Sequence, residues 1–155
     1  SYSEQKIGSD FRLFLNNCSF QKNLGKVFNT KNNILLPILI AFPNIDCKTK
    51  SVYKMVKNFS SHSGGLYLKK NNKKNFIEKI KKDQNDLQKI VEKKYTKISY
   101  LIKLINKQEG CIFSRMTGSG SACYGVFKSK KTAKVAINKL KRKYPKYWCV
   151  ITKTI

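Results

Sequence analysis

An α+β fold is predicted by three observations on the sequence. A short apolar run rich in β-branched residues, Ile34 to Phe42, is matched later by similar runs near residues 111–116, 122–127 and 147–152. Between the first two runs lies Phe76 to Ile105, where apolar residues recur every three or four positions, as on helices packed against a core. Between the last two lies Lys130 to Tyr144, with the same helical spacing. The resulting order is strand, helices, strand, strand, helix, strand, which is the split βαβ arrangement of ferredoxin-like folds.

The elements follow in chain order. Ser1 to Lys31 opens without an initiator Met and carries Gly8-Ser9-Asp10 ahead of the apolar stretch Phe11, Leu13, Phe14, Leu15. A carboxylate beside a glycine at the edge of such a stretch is ordinarily a cap or turn residue. Ile34 to Phe42, ended by Pro43 and tolerating Pro37 near an edge, is the expected first strand of the compact domain. Thr49 to Phe59 places Val52, Tyr53, Val56 and Phe59 at helical spacing, with Thr49 as the expected cap. At such a position Tyr53 is ordinarily a core residue. Ser60 to Asn75 is polar, contains Gly64-Gly65, and is expected to be a surface loop. From Phe76 the helical spacing runs on through Leu87, Val91, Ile98 and Ile105, with too few heptads for a coiled coil. Asn85-Asp86-Leu87-Gln88 suits a helix N-cap, and Gly110 suits a helix stop. Cys111 to Met116 and Ala122 to Phe127 form an expected hairpin, Pro145 closes the lysine-faced helix after it, and Tyr147 to Thr152 is the last strand.

Composition bounds the function. At 155 residues and 41% hydrophobic, the chain has apolar material for one ordinary domain plus an incomplete piece. It shows neither an apolar run long enough to span a membrane nor a charged-then-apolar leader, so a soluble, cytoplasmic protein is expected. Five scattered cysteines without a CxxC pair, and a lone His62, predict reduced thiols and no metal site. A net charge of +25 raises nucleic-acid binding as a class. Against it, the 33 basic residues include only three arginines, Arg12, Arg115 and Arg142, and lysine lacks the planar fork that reads bases and phosphates. Abundant Lys, Asn and Ile together suggest a compositional surface, and no specific nucleic-acid partner is expected. Such a charge would still steer an anionic nucleotide toward the protein.

Chemistry concentrates in Ser114-Arg115-Met116-Thr117-Gly118-Ser119-Gly120-Ser121-Ala122-Cys123. Two glycines two apart allow positive φ and turn successive N–H groups to one side with no β-carbon in the way of an oxyanion. The hydroxyls of Thr117, Ser119 and Ser121 are further donors. The plainer alternative is a simple hairpin turn.

With these flanks the loop resembles the third motif of the GHMP kinases. Gly8-Ser9-Asp10-Phe11 resembles that family's Gly-Ala-Asp-Val segment, with Phe11-Arg12 replacing Val-Pro, and Asn85-Asp86-Leu87-Gln88 resembles its Asn-Asp-Leu-Glu. The resemblance implies an ATP-dependent small-molecule kinase using Mg²⁺. Its substrate would be a cytidine diphosphate-linked methylerythritol of the non-mevalonate isoprenoid pathway, phosphorylated on its 2-hydroxyl. It gives Asp10 the role of catalytic base. Tyr53, ten residues after Pro43, would stack on cytosine, and Gly118, Ser119, Gly120 and Ser121 would bind substrate phosphate.

The family also has a catalytic lysine and a Gly/Ser-rich ATP-phosphate loop, and no such run occurs in these residues. The resemblance therefore implies a C-terminal GHMP kinase domain over 34–155, preceded over 1–33 by a remnant of the N-terminal domain. The missing N-terminal half would be its partner, and the chain alone would be inactive. Two alternatives stand beside this expectation: another small-molecule GHMP kinase, and a basic ferredoxin-like nucleic-acid-binding domain. The strands lack the basic-Gly-aromatic pattern of the latter.

Overall fold

A computed structural model describes residues 19–23, 26–29, 34–60 and 72–154. The described residues fall into two units, one holding the first two strands and residues 72–80, the other holding 35–60 and 81–154. In the first, β1 (Ser19–Asn23) pairs antiparallel with β2 (Lys26–Asn29), with Phe20 opposite Phe28. No strand was expected there, because neither segment shows a sustained apolar alternation. Helix α2 (Lys73–Lys82) begins three residues before the first apolar position of its pattern, Phe76, and Asn72 Oδ1 accepts from the Asn75 N–H at 2.8 Å.

The second unit is built on a four-stranded sheet in the order β4-β5-β3-β6, where β3 is Pro37–Phe42, β4 Cys111–Met116, β5 Cys123–Phe127 and β6 Trp148–Lys153. All neighbouring strands are antiparallel. β3 and β4 therefore run parallel with β5 inserted between them, which is the split βαβ expected from the sequence. Leu36 and Thr154 close the open end of β3 and β6, the Leu36 N–H donating to Thr154 Oγ1 at 2.8 Å and the Thr154 N–H to the Leu36 carbonyl at 3.1 Å.

Helices α1 (Thr49–Lys54), α3 (Gln88–Lys94), α4 (Thr96–Asn106) and α5 (Lys130–Lys143) cover one face of the sheet. Strand alternation puts Leu39, Ala41, Cys123, Phe127 and Cys149 on that face, where they join Val52, Val91, Ile98, Leu101, Ile105, Ala136 and Leu140 in one buried cluster. Each large aliphatic or aromatic side chain so buried is worth roughly 1.5–3 kcal/mol. Ser129 caps α5, its Oγ accepting from the Thr132 N–H at 3.2 Å, and Lys141, Arg142 and Lys143 face the negative end of that helix's dipole. Among the described residues, no helix is long and apolar enough to cross a membrane.

Three local expectations change. The first helix of this unit stops at Lys54 rather than running to Phe59, and Lys48, not Thr49, holds its N-cap position without a side-chain cap. The apolar spacing after Phe76 breaks into three helices, because 83–85 and Tyr95 leave the helical conformation while the hydrophobic stripe continues across them. Gly110 is not the residue that stops α4, which is capped at Lys107; it lies in the turn that leads into β4, its carbonyl accepting from the Lys128 N–H at 2.8 Å.

Candidate functional site

The glycine loop joins β4 to β5 at the end of the sheet. The Thr117 N–H donates to the Ala122 carbonyl at 2.9 Å and the Gly120 N–H to the Thr117 carbonyl at 3.1 Å, so the loop is a closed turn with fixed ends. Gly118 and Gly120 have φ of +54° and +90°, the left-handed region that side chains disfavour. Among the described residues the N–H groups of Gly118 and Ser119 have no hydrogen-bond partner. The two glycines differ in one respect that the sequence does not reveal. A Cβ on Gly118 would meet nothing within 4 Å, whereas one on Gly120 would lie 2.9 Å from Met116 Sδ and 3.3 Å from Cys47 Sγ. Only Gly118 leaves the approach to the loop open; Gly120 is needed because the core lies directly beneath it.

The three hydroxyls also divide. Thr117 is exposed. Ser119 Oγ shares a 2.8 Å hydrogen bond with Thr49 Oγ1, which ties the loop to the first turn of α1. Ser121 is 1% exposed and its Oγ has no partner. Burying a hydroxyl unpaired costs roughly 1–3 kcal/mol, and at this depth the Ser121 oxygen faces the core rather than the approach to the loop.

A second layer holds the loop from the β4 side. Asn85 Nδ2 donates to the Met116 carbonyl at 3.1 Å and to the Gly118 carbonyl at 2.8 Å, while its Oδ1 accepts from the Leu87 N–H at 3.0 Å. The last of these closes a turn just ahead of α3, whose N-cap position is Leu87 and carries no side-chain cap, so the cap expected at Asn85 is a turn bond instead. Gln88 Oε1 accepts from the Met116 N–H at 3.0 Å, and its Nε2 donates to Glu92 Oε1 at 2.6 Å. Asp86 Oδ2 accepts from both the N–H and the Oγ of Ser60, at 2.9 and 3.1 Å, fastening the segment after α1 to the same turn. Sequence reasoning took Asn85 for a cap alone; its contacts lie 31 and 33 residues away, beyond any local signal.

Tyr53 is 52% exposed, not a core residue, and lies one helical turn beyond Thr49 on α1. Residues four apart share a helix face, so the residue touching Ser119 and the aromatic ring stand on one side of α1. Asp10, with Gly8 and Ser9, lies outside the described residues.

The described cysteines are all free thiols. Burial pushes the Cys123 thiol up to about 12 and the Cys111 thiol up to about 11. Cys47, under Gly120, is also raised, by burial and then by the Asp46 carboxylate, with Lys94 opposing. These are neutral core groups, not nucleophiles. Among the described residues no three His, Cys, Asp or Glu side chains converge as metal ligands.

Known proteins resemble this chain in sequence and in fold. The 4-diphosphocytidyl-2-C-methyl-D-erythritol kinase of Pelagibacter ubique is 33% identical over 151 residues, an alignment covering 97% of this chain and 53% of the relative. The protein of the same name from Anaplasma phagocytophilum is 28% identical over 155 residues, covering 97% of this chain and 51% of that protein. The chain thus spans about half the length of the curated relatives it matches. The crystal structure of a 4-(cytidine 5'-diphospho)-2C-methyl-D-erythritol kinase matches with a TM-score of 0.71 at 18% identity, covering 95% of this chain and 54% of that one. A homoserine kinase from Cytophaga hutchinsonii matches with a TM-score of 0.61 at 14% identity, covering 84% of this chain and 44% of that one. At those identities the two structures speak for the fold. The model of the family described as GHMP kinases C terminal matches residues 66–146, more than half of the sequence, and the chain belongs to that family.

Proposed function

We propose that this chain forms the substrate-phosphate side of a kinase that transfers the γ-phosphoryl group of ATP to the 2-hydroxyl of 4-diphosphocytidyl-2-C-methyl-D-erythritol. The relatives of that name support the choice of substrate. The observation that carries it is the loop: two positive-φ glycines, and N–H groups at Gly118 and Ser119 that have no partner among the described residues. Such a donor set fits a phosphate. In this reading the loop receives the diphosphate, and Tyr53 stacks on the cytosine ring. Asp10 takes the proton as the 2-hydroxyl oxygen bonds to the γ-phosphorus and ADP departs.

Phosphoryl transfer depends on positioning and charge neutralisation, and Mg²⁺ supplies the latter when bound with the nucleotide. No described residue is assigned to hold it, since no carboxylate cluster lies among them. Residues 34–155 are assigned to the C-terminal domain, in keeping with a sheet that starts at Pro37, and 1–33 to the end of the N-terminal domain. The family's catalytic lysine and ATP-phosphate loop have no counterpart in these 155 residues.

A coupled ATP-consumption assay with the cytidine diphosphate-linked substrate tests the assignment on two polypeptides, the chain alone and the chain joined behind the first half of the Pelagibacter ubique relative. Background rates from the first and turnover from the second are expected. Robust turnover by the chain alone would show that its phosphate loop for ATP lies within these residues, and a joined, folded protein that binds ATP but not the substrate would overturn the choice of substrate.

A further inference from the structure

Among the described residues β4 is an edge strand, with β5 on one side and no strand on the other. Thr117 pairs with Ala122 across the hairpin, so the alternation of an antiparallel ladder turns the N–H and carbonyl of Met116 outward. Both are nonetheless taken, by Gln88 Oε1 at 3.0 Å and Asn85 Nδ2 at 3.1 Å. Two side-chain amides stand where a neighbouring strand's peptide groups would be. Gln88 is braced in turn, through Glu92 Oε1 at 2.6 Å, and Glu92 Oε2 accepts from Ser99 Oγ at 2.9 Å.

Asn85 reaches further, to the Gly118 carbonyl at 2.8 Å. In a trans peptide the carbonyl and the following N–H point in opposite directions. Fixing the Gly118 oxygen toward Asn85 therefore points the Ser119 N–H away from it, and that N–H has no partner among the described residues. Were this peptide plane to flip, a carbonyl oxygen would replace a donor where an anion is to be received.

We propose that Asn85 is a positioning residue of the phosphate loop, with Gln88 fixing the strand end behind it: its amide locks the Gly118–Ser119 peptide in the orientation that offers an N–H to the substrate's phosphate. The proposal rests on the loop being a phosphate site. Its turn bond to the Leu87 N–H uses Oδ1 and its clamping bonds use Nδ2, so substitution can separate the two roles.

Asn85→Ser keeps an accepting oxygen for the Leu87 N–H and removes the two-proton amide that spans the Met116 and Gly118 carbonyls, which a single, shorter hydroxyl cannot serve together. Asn85→Ala removes both. Amide hydrogen exchange on the 155-residue chain is read at Thr117 and Gly120, whose N–H groups are bonded within the loop, and at Val91 and Ile98 in the helices. Inorganic pyrophosphate is titrated calorimetrically in parallel. Asn85→Ser should speed exchange at Thr117 and Gly120 about tenfold, leave Val91 and Ile98 within about twofold, and weaken pyrophosphate about tenfold, the scale of one or two lost hydrogen bonds. Loop exchange within about twofold of the parent in both variants overturns the clamp, whatever pyrophosphate does. Unchanged pyrophosphate affinity alongside faster loop exchange also overturns it, since the locked peptide would then not matter to the anion. A parent that fails to bind pyrophosphate removes the phosphate reading instead, while the exchange rates still decide whether Asn85 orders the loop.

Discussion

The two loop glycines make a paired test, because they share a backbone region and differ in what lies beyond the α-carbon. Gly118→Ala places a methyl in open space at φ +54°, so its cost is the left-handed conformation alone, about 1–2 kcal/mol. Gly120→Ala meets a comparable backbone cost at φ +90° and also sets its methyl 2.9 Å from Met116 Sδ and 3.3 Å from Cys47 Sγ. Met116 is 1% exposed and packed in the core, so its sulfur has little room to retreat, and overpacking of this kind adds about 1–3 kcal/mol. Together Gly120→Ala should cost about 2–5 kcal/mol. For a chain of this size each kcal/mol lowers Tm by about 2–4 °C, which predicts a fall of several to about 20 °C for Gly120→Ala and about 2–8 °C for Gly118→Ala. Circular dichroism melts at matched scan rate, repeated by urea titration, measure both. Equal losses from the two substitutions, or a larger loss from Gly118→Ala, would refute the claim that Gly120 faces the core and Gly118 the approach. In a double-mutant cycle, Met116→Ala should cost less in the Gly120→Ala background than in the parent, because the sulfur is the atom nearest the added methyl.

Three further outcomes are expected. In an active kinase carrying this chain, Asp10→Asn keeps size and removes basicity, so kcat should fall on the order of 10²- to 10⁴-fold with KM little changed; a fall of less than about threefold would leave Asp10 a turn residue. Tyr53→Ala should raise the KM for the cytidine-linked substrate about tenfold or more, the scale of one lost base stack, while Tm stays within about 2 °C because the ring is half exposed; an unchanged KM with a large loss of Tm would make Tyr53 a packing residue. The thiols of Cys111 and Cys123, held at about 11 and about 12 against an ordinary 9.0, stay protonated in the fold after they would ionise in the unfolded chain. Their contribution is whole below about pH 9 and is lost as pH rises toward 11–12, at up to about 1.4 kcal/mol per pH unit for each thiol. Urea midpoints of Cys123→Ala should therefore fall less steeply above pH 9 than those of the parent, and parallel curves would rule the linkage out.

The sheet was legible because its strands are short apolar runs bounded by breakers: Pro43 after β3, the glycine loop between β4 and β5, and Pro145 before β6. Helix was legible over 87–105 because a core-facing stripe must repeat at three or four, whereas α2 shows the same spacing without a buried residue. The breaks were not, because the stripe continues through Tyr95 from Val91 to Ile98 on the sheet side, and periodicity records which side is buried rather than where hydrogen bonds stop. Thr49 shows the limit of local propensity. It has the right chemistry for a cap and sits one residue too late, and its hydroxyl is taken by Ser119, 70 residues on.

The same limit explains why the loop's supports were invisible while the loop was not. Positive φ at alternate glycines is a property of the backbone itself, so Gly118 and Gly120 announce it in their identity. An amide side chain announces only that it can donate and accept. The turn pattern accounts for the acceptor of Asn85 and leaves its donor without assignment, and that donor goes to carbonyls 31 and 33 residues away. Once β4 is known to be an edge strand, the outward groups of Met116 require partners, and Asn85 and Gln88, three apart at the start of α3, are the side chains that reach them. Topology therefore converts an ordinary helix start into a support of the glycine loop: the sheet needed one more strand at Met116, and the two amides that replace it leave Asn85 in contact with the Gly118–Ser119 peptide, the one proposed to offer its N–H to an anion.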